Sequence, residues 1–251
     1  MNTGKALVLF SMTLLVSCKI ENEPAINLSQ DKPSIVEINS PQFTAPPAEV
    51  TPDNPYSRLA SDMISEISMI YNYLSYFKVP SRAKGGSENR IVAANGVTPA
   101  VRAFYNYSWS DDQIPFNIGY QISLTSNGTH LFEIFLRKAG FAWKKYIHIE
   151  EKLNSSDGYM YLYDAFGSDP TLVLREYAWS RTGHKLIFSL TDYKKALHFH
   201  VSRETMTGAT NISKYDVEKI QYTITWDDLG NGSWIHYNED GVIDEEGNWE
   251  I

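Results

Sequence analysis

Cysteine is almost absent from this sequence of 251 residues, which contains only Cys18. A disulfide needs two thiols, so an internal disulfide framework is excluded and a folded domain must be stabilised by its packed core. Basic residues are in the minority: 22 Lys and Arg stand against 30 Asp and Glu, a formal net charge of −8. An acidic surface repels phosphate backbones and anionic headgroups, so we expect no nucleic-acid partner and no basic membrane-binding surface.

Motifs for nucleophilic catalysis and phosphate binding are also missing. The sequence has no Gly-x-Ser-x-Gly turn and no phosphate-binding glycine loop. Glu133 and Glu176 could form a catalytic carboxylate pair only if the fold brings them within about 5–10 Å of each other. We therefore predict no catalytic residue and no cofactor, and we expect the protein to act by binding.

An apolar run at the amino terminus, Ala6 to Val16, follows a single cation, Lys5. A run of this length is too short to span a bilayer and is typical of a secretory signal peptide. It ends in Leu15-Val16-Ser17-Cys18, which resembles the lipobox of bacterial lipoproteins. The resemblance implies that residues 1–18 are a lipoprotein signal peptide, that Cys18 carries fatty acyl chains such as palmitate, and that this lipid anchors the protein in a membrane.

The residues after the cysteine bear on localisation. Lys19 stands where an Asp would favour retention at the inner membrane, so the resemblance implies an outer membrane. Lys19, Glu21 and Glu23 also resemble the short charged export signals of surface lipoproteins. Both the periplasmic face and the cell surface stay open. The alternative for Cys18 is an incidental cysteine in an ordinary cleaved signal peptide.

Residues 19–55 are rich in proline, which removes backbone donors and disfavours regular structure. We predict a disordered tether here and a folded domain over residues 56–251. The prolines are Pro24, Pro33, Pro41, Pro46, Pro47, Pro52 and Pro55.

The folded domain is predicted to begin with one amphipathic helix at its amino terminus. Asp53-Asn54-Pro55 supplies capping and first-turn residues, and the helical period continues to about Phe77. Apolar residues at spacings of three and four form one stripe, which we expect to pack on a sheet. The stripe consists of Ile64, Ile67, Ile70, Tyr71, Leu74 and Phe77.

From Val101 to Tyr237 the period changes to two, with turn signals such as Asn127-Gly128 between the segments. The connections are too short for parallel crossovers, so a mainly β fold is predicted: an antiparallel meander of about ten strands. A twisted sheet of that size should curl into a half-barrel or barrel. Such an architecture resembles the unclosed barrels of the periplasmic lipoprotein carriers of the LolA and LolB type.

Two binding modes follow from this architecture. The first is an apolar or amphipathic ligand held between helix and sheet; the second is a protein or glycan bound through the outer face of the sheet. The residues expected to contact a ligand are Ile67, Tyr71 and Leu74 on the helix, Tyr105, Tyr107 and Trp109 on one strand, and Tyr159, Tyr161 and Tyr163 on another.

Metal binding has weaker support. His198 and His200 share one face of a predicted strand and could bind a transition metal if His184 or His148 supplied a third ligand, but a solvated pair is the simpler interpretation. Residues 236–247 partly resemble an EF-hand calcium loop, yet His236 and Gly247 occupy its first and twelfth positions, which require Asp and Glu. An acidic hairpin that packs Trp249 is the better interpretation.

Overall fold

The structure is a computed structural model that describes residues 43–47, 54–87, 89–93, 100–110, 114–152, 157–216 and 218–251. Cys18, the predicted signal peptide and most of the predicted tether lie outside the described residues.

The helical segment begins where the capping residues predict. The side-chain oxygen of Asn54 accepts hydrogen bonds from the backbone N–H groups of Tyr56 and Ser57, each at 3.0 Å. The segment precedes the sheet but begins only at Pro55, so the predicted amino-terminal helix is amino-terminal within the folded domain and not within the chain. Its parts are α1 (Pro55–Ser68), α2 (Ile70–Leu74) and a 3-10 turn (Ser75–Phe77).

The described residues form one open antiparallel sheet of thirteen strands, in which each strand pairs with its neighbours in the chain. The mainly β meander is confirmed, but the predicted count of about ten is wrong. The strands are β1 (Lys84–Gly86), β2 (Val101–Ser110), β3 (Asn117–Thr125), β4 (Thr129–Arg137), β5 (Lys144–Lys152), β6 (Gly158–Tyr163), β7 (Val173–Thr182), β8 (Lys185–Asp192), β9 (Leu197–Glu204), β10 (Thr210–Asp216), β11 (Lys219–Trp226), β12 (Gly232–Tyr237) and β13 (Ile243–Trp249).

The three additional strands lack a clear alternation. Strand β1 is three residues long and contains two glycines, while β13 carries Asp244, Glu245 and Glu246 in succession. Both lie at the edges of the sheet, where short or charged strands discourage pairing with other chains. In β10, Ile212 is the one fully buried apolar residue, so the period of two is not visible in the sequence.

One face of the sheet, the inner face, carries the core. The helical segment crosses it from β12 to β3, as three ring contacts show: Tyr56 stacks on Trp234 at 3.7 Å, Tyr73 lies 6.5 Å from Tyr177, and Phe77 meets Tyr120 edge-on at 5.3 Å between ring centroids. Fully buried side chains include Phe132, Ile134, Ile147, Ile149, Met160, Tyr177, Phe188, Phe199, Val201, Ile212 and Ile224.

Residues 43–47, which belong to the predicted tether, also pack on the inner face. The ring of Phe43 is only 8% exposed and lies 6.2 Å from the ring of Phe188. The indole Nε1–H of Trp226 donates a hydrogen bond to the carbonyl of Thr44 at 3.0 Å. The packed domain therefore includes residues that precede the helix in the chain.

The opposite, outer face is mostly half-buried or exposed, but β3 and β4 are buried on both faces. Residues 89–93 lie over this part of the outer face, where the backbone N–H of Ile91 donates to the side chain of Gln121 at 2.8 Å. A side chain at Gly119 would meet Ile91 Cδ1 at 2.7 Å, so glycine permits the close approach. Among the described residues, no helix is both long and apolar enough to cross a membrane.

Candidate ligand-binding site

A cavity of about 460 Å³ opens between the carboxyl-terminal end of the helical segment and the inner face of the sheet. Sites for small molecules typically measure about 300–1,000 Å³ and combine an apolar or aromatic lining with a few polar groups. Most of the large side chains that line it are aromatic or aliphatic: Tyr73, Tyr76, Trp109, Ile114, Ile118 and Tyr146. The cavity therefore has the size of a small-molecule site, and its lining mixes these side chains with the polar groups of Asn72, Ser75, Lys78 and Arg82.

Ring contacts fix the helical end of this cavity. The rings of Tyr76 and Tyr146 meet edge-on at 5.5 Å, and this geometry, like the contact of Phe77 with Tyr120, places the positive edge of one ring on the negative face of the other. Burial, with a smaller contribution from Tyr76, raises the pKa of Tyr146 well above its ordinary value. Its hydroxyl therefore stays neutral and can donate a hydrogen bond at physiological pH.

A second cavity, of about 360 Å³, adjoins the first, and Arg82 and Trp109 line both. Arg82 Nη2 donates to the carbonyl of Ser110 at 3.0 Å, and the guanidinium of Arg137 lies 4.3 Å from the centre of the Trp143 ring. Most of the second cavity belongs to the outer face, because Ser110, Asn117 and Arg137 form one cross-strand row that alternates with the core-facing row of Trp109, Ile118 and Leu136.

The predicted ligand-contacting residues of the helix and of β2 differ in burial, and few of them reach the cavity. Ile67 is buried beneath the helix and Leu74 is half-buried, whereas Tyr71 is 40% exposed on the solvent side. Tyr105, Tyr107 and Trp109 all face the core, and of the residues predicted to bind, Trp109 is the one that lines the cavity.

Tyr159, Tyr161 and Tyr163 lie on the other side of the sheet. In β6 the core-facing residues are Met160 and Leu162, so the three tyrosines project from the outer face. The residues predicted to share one cleft are therefore separated by the sheet. Because β6 is apolar or aromatic from Tyr159 onward, its sequence does not reveal which alternate residues face inward.

The outer face has a groove of about 250 Å³, and Tyr159 is the one of these three tyrosines that lines it. Two small lining residues, Ala178 and Ser189, lie directly opposite each other on β7 and β8, and Tyr159, which is 45% exposed, pairs with Ala178. Polar groups of Glu150, Lys152 and Ser180 also line the groove.

A buried polar network occupies the covered part of the outer face. Glu133 is 2% exposed and contacts Lys145 Nζ at 2.7 Å, His148 Nδ1 at 3.2 Å and Gln121 Nε2 at 3.2 Å. Burial alone would raise the pKa of Glu133, but the hydrogen bond with His148 and the charge of Lys145 lower it to about 2. The carboxylate is thus held ionised.

His148 completes this network. Its Nε2 lies 2.8 Å from Glu150, and although burial lowers the pKa of His148, the hydrogen bonds with Glu133 and Glu150 raise it above its ordinary value. The charges compensate one another within the network, which indicates a structural role.

His198 and His200 face outward on β9, as the alternation predicts. Their Nε2 atoms are 3.1 Å apart, and His198 Nδ1 bonds the hydroxyl of Thr191 at 2.8 Å. Burial lowers the pKa of both imidazoles, and two neutral rings can share a hydrogen bond because one donates and the other accepts. His184 is exposed in the β7–β8 turn, and His148 lies four strands away.

The structure also does not assemble the catalytic carboxylate pair or the calcium loop that the sequence analysis considered. Glu133 and Glu176 are three strands apart in one cross-strand row, about 14 Å at ordinary strand spacing, too far for a glycosidase pair. Residues 236–247 form a hairpin in which Asn238 accepts the N–H groups of Asp240 and Val242. In the described ranges no group of three or more His, Cys, Asp or Glu side chains could hold a metal ion.

The sequence analysis did not identify Tyr76, Tyr146, Arg82 or Arg137 as site residues. Tyr76 lies next to the predicted apolar stripe and Tyr146 at a strand end, which are weak signals. Arg82 and Arg137 come from regions far apart in the sequence, and only the pairing of β2, β3 and β4 brings them to one cavity.

Comparison with known proteins assigns no family to this chain, because no protein-family model and no curated protein matches the sequence.

Proposed function

We propose that this protein is a lipid-anchored lipoprotein of the cell envelope that binds an amphipathic small molecule between the end of its helix and its sheet. The observation that carries the binding function is the cavity of about 460 Å³ and its aromatic lining. The anchor rests on the lipobox-like Leu15-Val16-Ser17-Cys18. The outer membrane is the proposed location, at its periplasmic face or at the cell surface.

The proposal takes the sheet to be a half-barrel around the helix. In a flat sheet the nine strand spacings from β3 to β12 would measure about 43 Å, whereas a twisted sheet of more than about ten strands curls. The helical segment is about 33 Å long, yet its ends contact both β3 and β12. A curled sheet brings those strands toward the helix ends and gives the cavity its walls.

Binding is tested by native mass spectrometry of the mature protein, purified from a host with a cell envelope and compared with its denatured mass. We expect a mass increment of an amphiphile that is lost on denaturation. Trp109→Ala should abolish the increment because it removes a wall of the cavity, whereas Tyr159→Ala on the outer face should leave it unchanged. A bare polypeptide, also after incubation with mixed envelope lipids, would refute this function.

Anchoring is tested by replacing Cys18 with Ser and fractionating cells. The unaltered protein should sediment with membranes, and the variant should be released because it has no acylated thiol. Equal membrane association of both proteins would refute the anchor. Protease treatment of intact cells then distinguishes the cell surface from the periplasmic face.

A second candidate function is recognition of a glycan through the outer face. The groove beside Tyr159 supports it, together with Tyr193, which is 54% exposed and donates its hydroxyl to Glu176 at 3.1 Å. Flat rings next to carboxylates suit the apolar faces and hydroxyls of sugars. Retention on envelope glycans that is lost in Tyr159→Ala and kept in Trp109→Ala would favour this function over the first.

A further inference from the structure

Alternate connections of an antiparallel meander lie at one end of the sheet, and three of them share the end that carries the ligand cavity. They are residues 114–116 before β3, residues 138–143 between β4 and β5, and residues 164–172 between β6 and β7. Trp109 and Ile118, which line the cavity, each lie one residue from the end of their strand on this side. We term the three connections the cavity end.

Two of these connections expose large apolar side chains. Phe141 is 65% exposed between β4 and β5, and Phe166 and Leu172 are each 48% exposed between β6 and β7. Every other phenylalanine that the structure describes is buried or half-buried. Apolar rings are unfavourable in water, and their concentration on one part of a surface marks an interaction site. We therefore expect a partner to cover the cavity end.

The exposed side chains are continuous with the lining of the cavity. The ring of Phe166 stacks on the ring of Phe116 at 4.3 Å between centroids, and Lys144 Nζ at the start of β5 lies 5.8 Å from the centre of the Phe166 ring. Phe116 lies two residues after Ile114, which lines the cavity. The connection between β6 and β7 thus reaches past the ends of β4 and β5 to the edge of the cavity.

A lipid bilayer is the partner that this position favours. The proposed ligand is an amphiphile, which a membrane supplies or receives, and its cavity lies beside the exposed rings. The proposed anchor permits the contact. The 24 residues from 19 to 42, between Cys18 and Phe43, can span at most about 80 Å, whereas a strand of nine residues such as β3 measures about 30 Å. Either end of the sheet can therefore reach the membrane that holds the acyl chains.

We infer that the cavity end docks on a lipid bilayer, with Phe141, Phe166 and Leu172 inserted among the lipids and the cavity at the membrane surface. Docking depends on this apolar insertion and not on the charge of the cavity end, because Asp111 and Asp112 of the β2–β3 connection lie outside the described residues. The choice of a bilayer as partner rests on the proposed amphiphile-binding function.

Three partly inserted side chains bind a membrane weakly, so docking supplements the anchor and does not replace it. The mature protein with Cys18→Ser should therefore be released when cell membranes are washed. The same protein should bind when vesicles are present in excess.

Flotation of the Cys18→Ser protein with phosphatidylcholine vesicles tests the inference, and this neutral bilayer avoids repulsion of an acidic chain. We expect binding that increases with lipid concentration. Phe141→Ser/Phe166→Ser should raise the lipid concentration for half-maximal binding at least about tenfold, because it removes the inserted rings. The matched control is Met206→Ser/Leu229→Ser, which should leave binding unchanged. Met206 and Leu229 are 74% and 77% exposed in connections at the opposite end of the sheet.

A second measurement decides if the first double variant does not fold. Cys18 is the single cysteine of the chain, so Phe141→Cys or Leu229→Cys in the Cys18→Ser protein provides one thiol for an environment-sensitive fluorophore. Vesicles should shift the emission of the label at position 141 to the blue, and lipids that carry a nitroxide should quench it. The label at position 229 should respond to neither.

Equal vesicle binding by the two double variants would overturn the inference, as would a label that responds at position 229 and not at position 141. Self-association without lipid that Phe141→Ser/Phe166→Ser abolishes, in a protein that does not bind vesicles, would also overturn it and identify a second copy of the chain as the partner.

The proposed function is separated from docking by titration with lysophosphatidylcholine below its micellar concentration. A protein that binds this probe but not vesicles would overturn the inference and leave the proposed function intact. A protein that binds neither would overturn both. Binding of the probe by Phe141→Ser/Phe166→Ser together with weakened vesicle binding is the expected result, because neither ring lines the cavity.

Discussion

The guanidinium of Arg175 on β7 lies 3.1 Å from the carboxylate of Glu66 on α1 and thereby ties the helix to the inner face of the sheet. The same Nη2 contacts Asp192 on β8 at 2.7 Å. The Asp192 side chain is 3% exposed, and its other oxygen accepts the backbone N–H groups of Lys194 and Lys195. This ion pair fixes the middle of the helix, whose carboxyl-terminal end forms a wall of the ligand cavity.

Asp192→Asn should destabilise the protein by about 3 kcal/mol, because it leaves the buried guanidinium of Arg175 without a full counter-charge. Urea denaturation followed by circular dichroism measures the loss. Asp228→Asn is the control, since Asp228 is 59% exposed and pairs with Arg203 at the surface, where removal should cost about 1 kcal/mol or less. Equal losses of stability in the two variants would show that the buried Arg175 does not need the charge of Asp192.

Stability should fall on acidification because of Glu133. Its pKa is lowered to about 2 in the folded protein from an ordinary 4.5, so its contribution is present above pH 4.5 and is lost as the pH falls toward 2. Between pH 2 and 4.5, the urea midpoint of Glu133→Gln should therefore depend less on pH than that of the unaltered protein. An unchanged slope would contradict the assignment of Glu133.

The contribution of His148 to stability should be lost as the pH rises, whereas that of Glu133 is lost as the pH falls. Its pKa is raised above 6.5, so its contribution is complete below pH 6.5 and disappears as the pH rises through the folded pKa. His148→Gln should remove a decline in the urea midpoint above pH 6.5, and the exposed His184→Gln should not. The same decline in the His148 variant would place its source elsewhere.

Phe43→Ala should destabilise the protein by about 3 kcal/mol, because its ring is buried against Phe188 although it lies in the predicted tether. Phe141, 65% exposed, provides the matched control, and Phe141→Ala should change stability by about 0.5 kcal/mol or less. Thermal unfolding of both variants measures the difference. Identical unfolding temperatures would mean that residues 43–47 do not stabilise the domain.

Gly158→Ala should destabilise the sheet by about 2 kcal/mol, because the new Cβ would lie 2.3 Å from Trp179 Cζ2 on the neighbouring strand. At Gly86, also in a strand, no atom lies within 4 Å of the added Cβ, so Gly86→Ala should be nearly neutral. Urea denaturation compares the two. A neutral Gly158→Ala would show that Trp179 can move away at little cost.

Local patterns were sufficient for the elements with strong periodicity. The Asn54 cap and Pro55 predicted the start of the helix, and the alternation of β9 predicted that His198 and His200 face outward. These predictions succeeded because capping and strand alternation depend on neighbours in the chain. The prediction of too few strands has the same cause, since β1, β10 and β13 lack alternation.

The sequence by itself determined the helix, the antiparallel meander and the lipobox-like Cys18, all of which depend on contiguous residues. Only the tertiary structure decided that Tyr159, Tyr161 and Tyr163 lie across the sheet from Trp109, that Phe43 packs on the core, and that Arg82 meets the end of β2. The physical reason is that a cavity and its charges are made by side chains that strand register and helix docking bring together from distant parts of the chain.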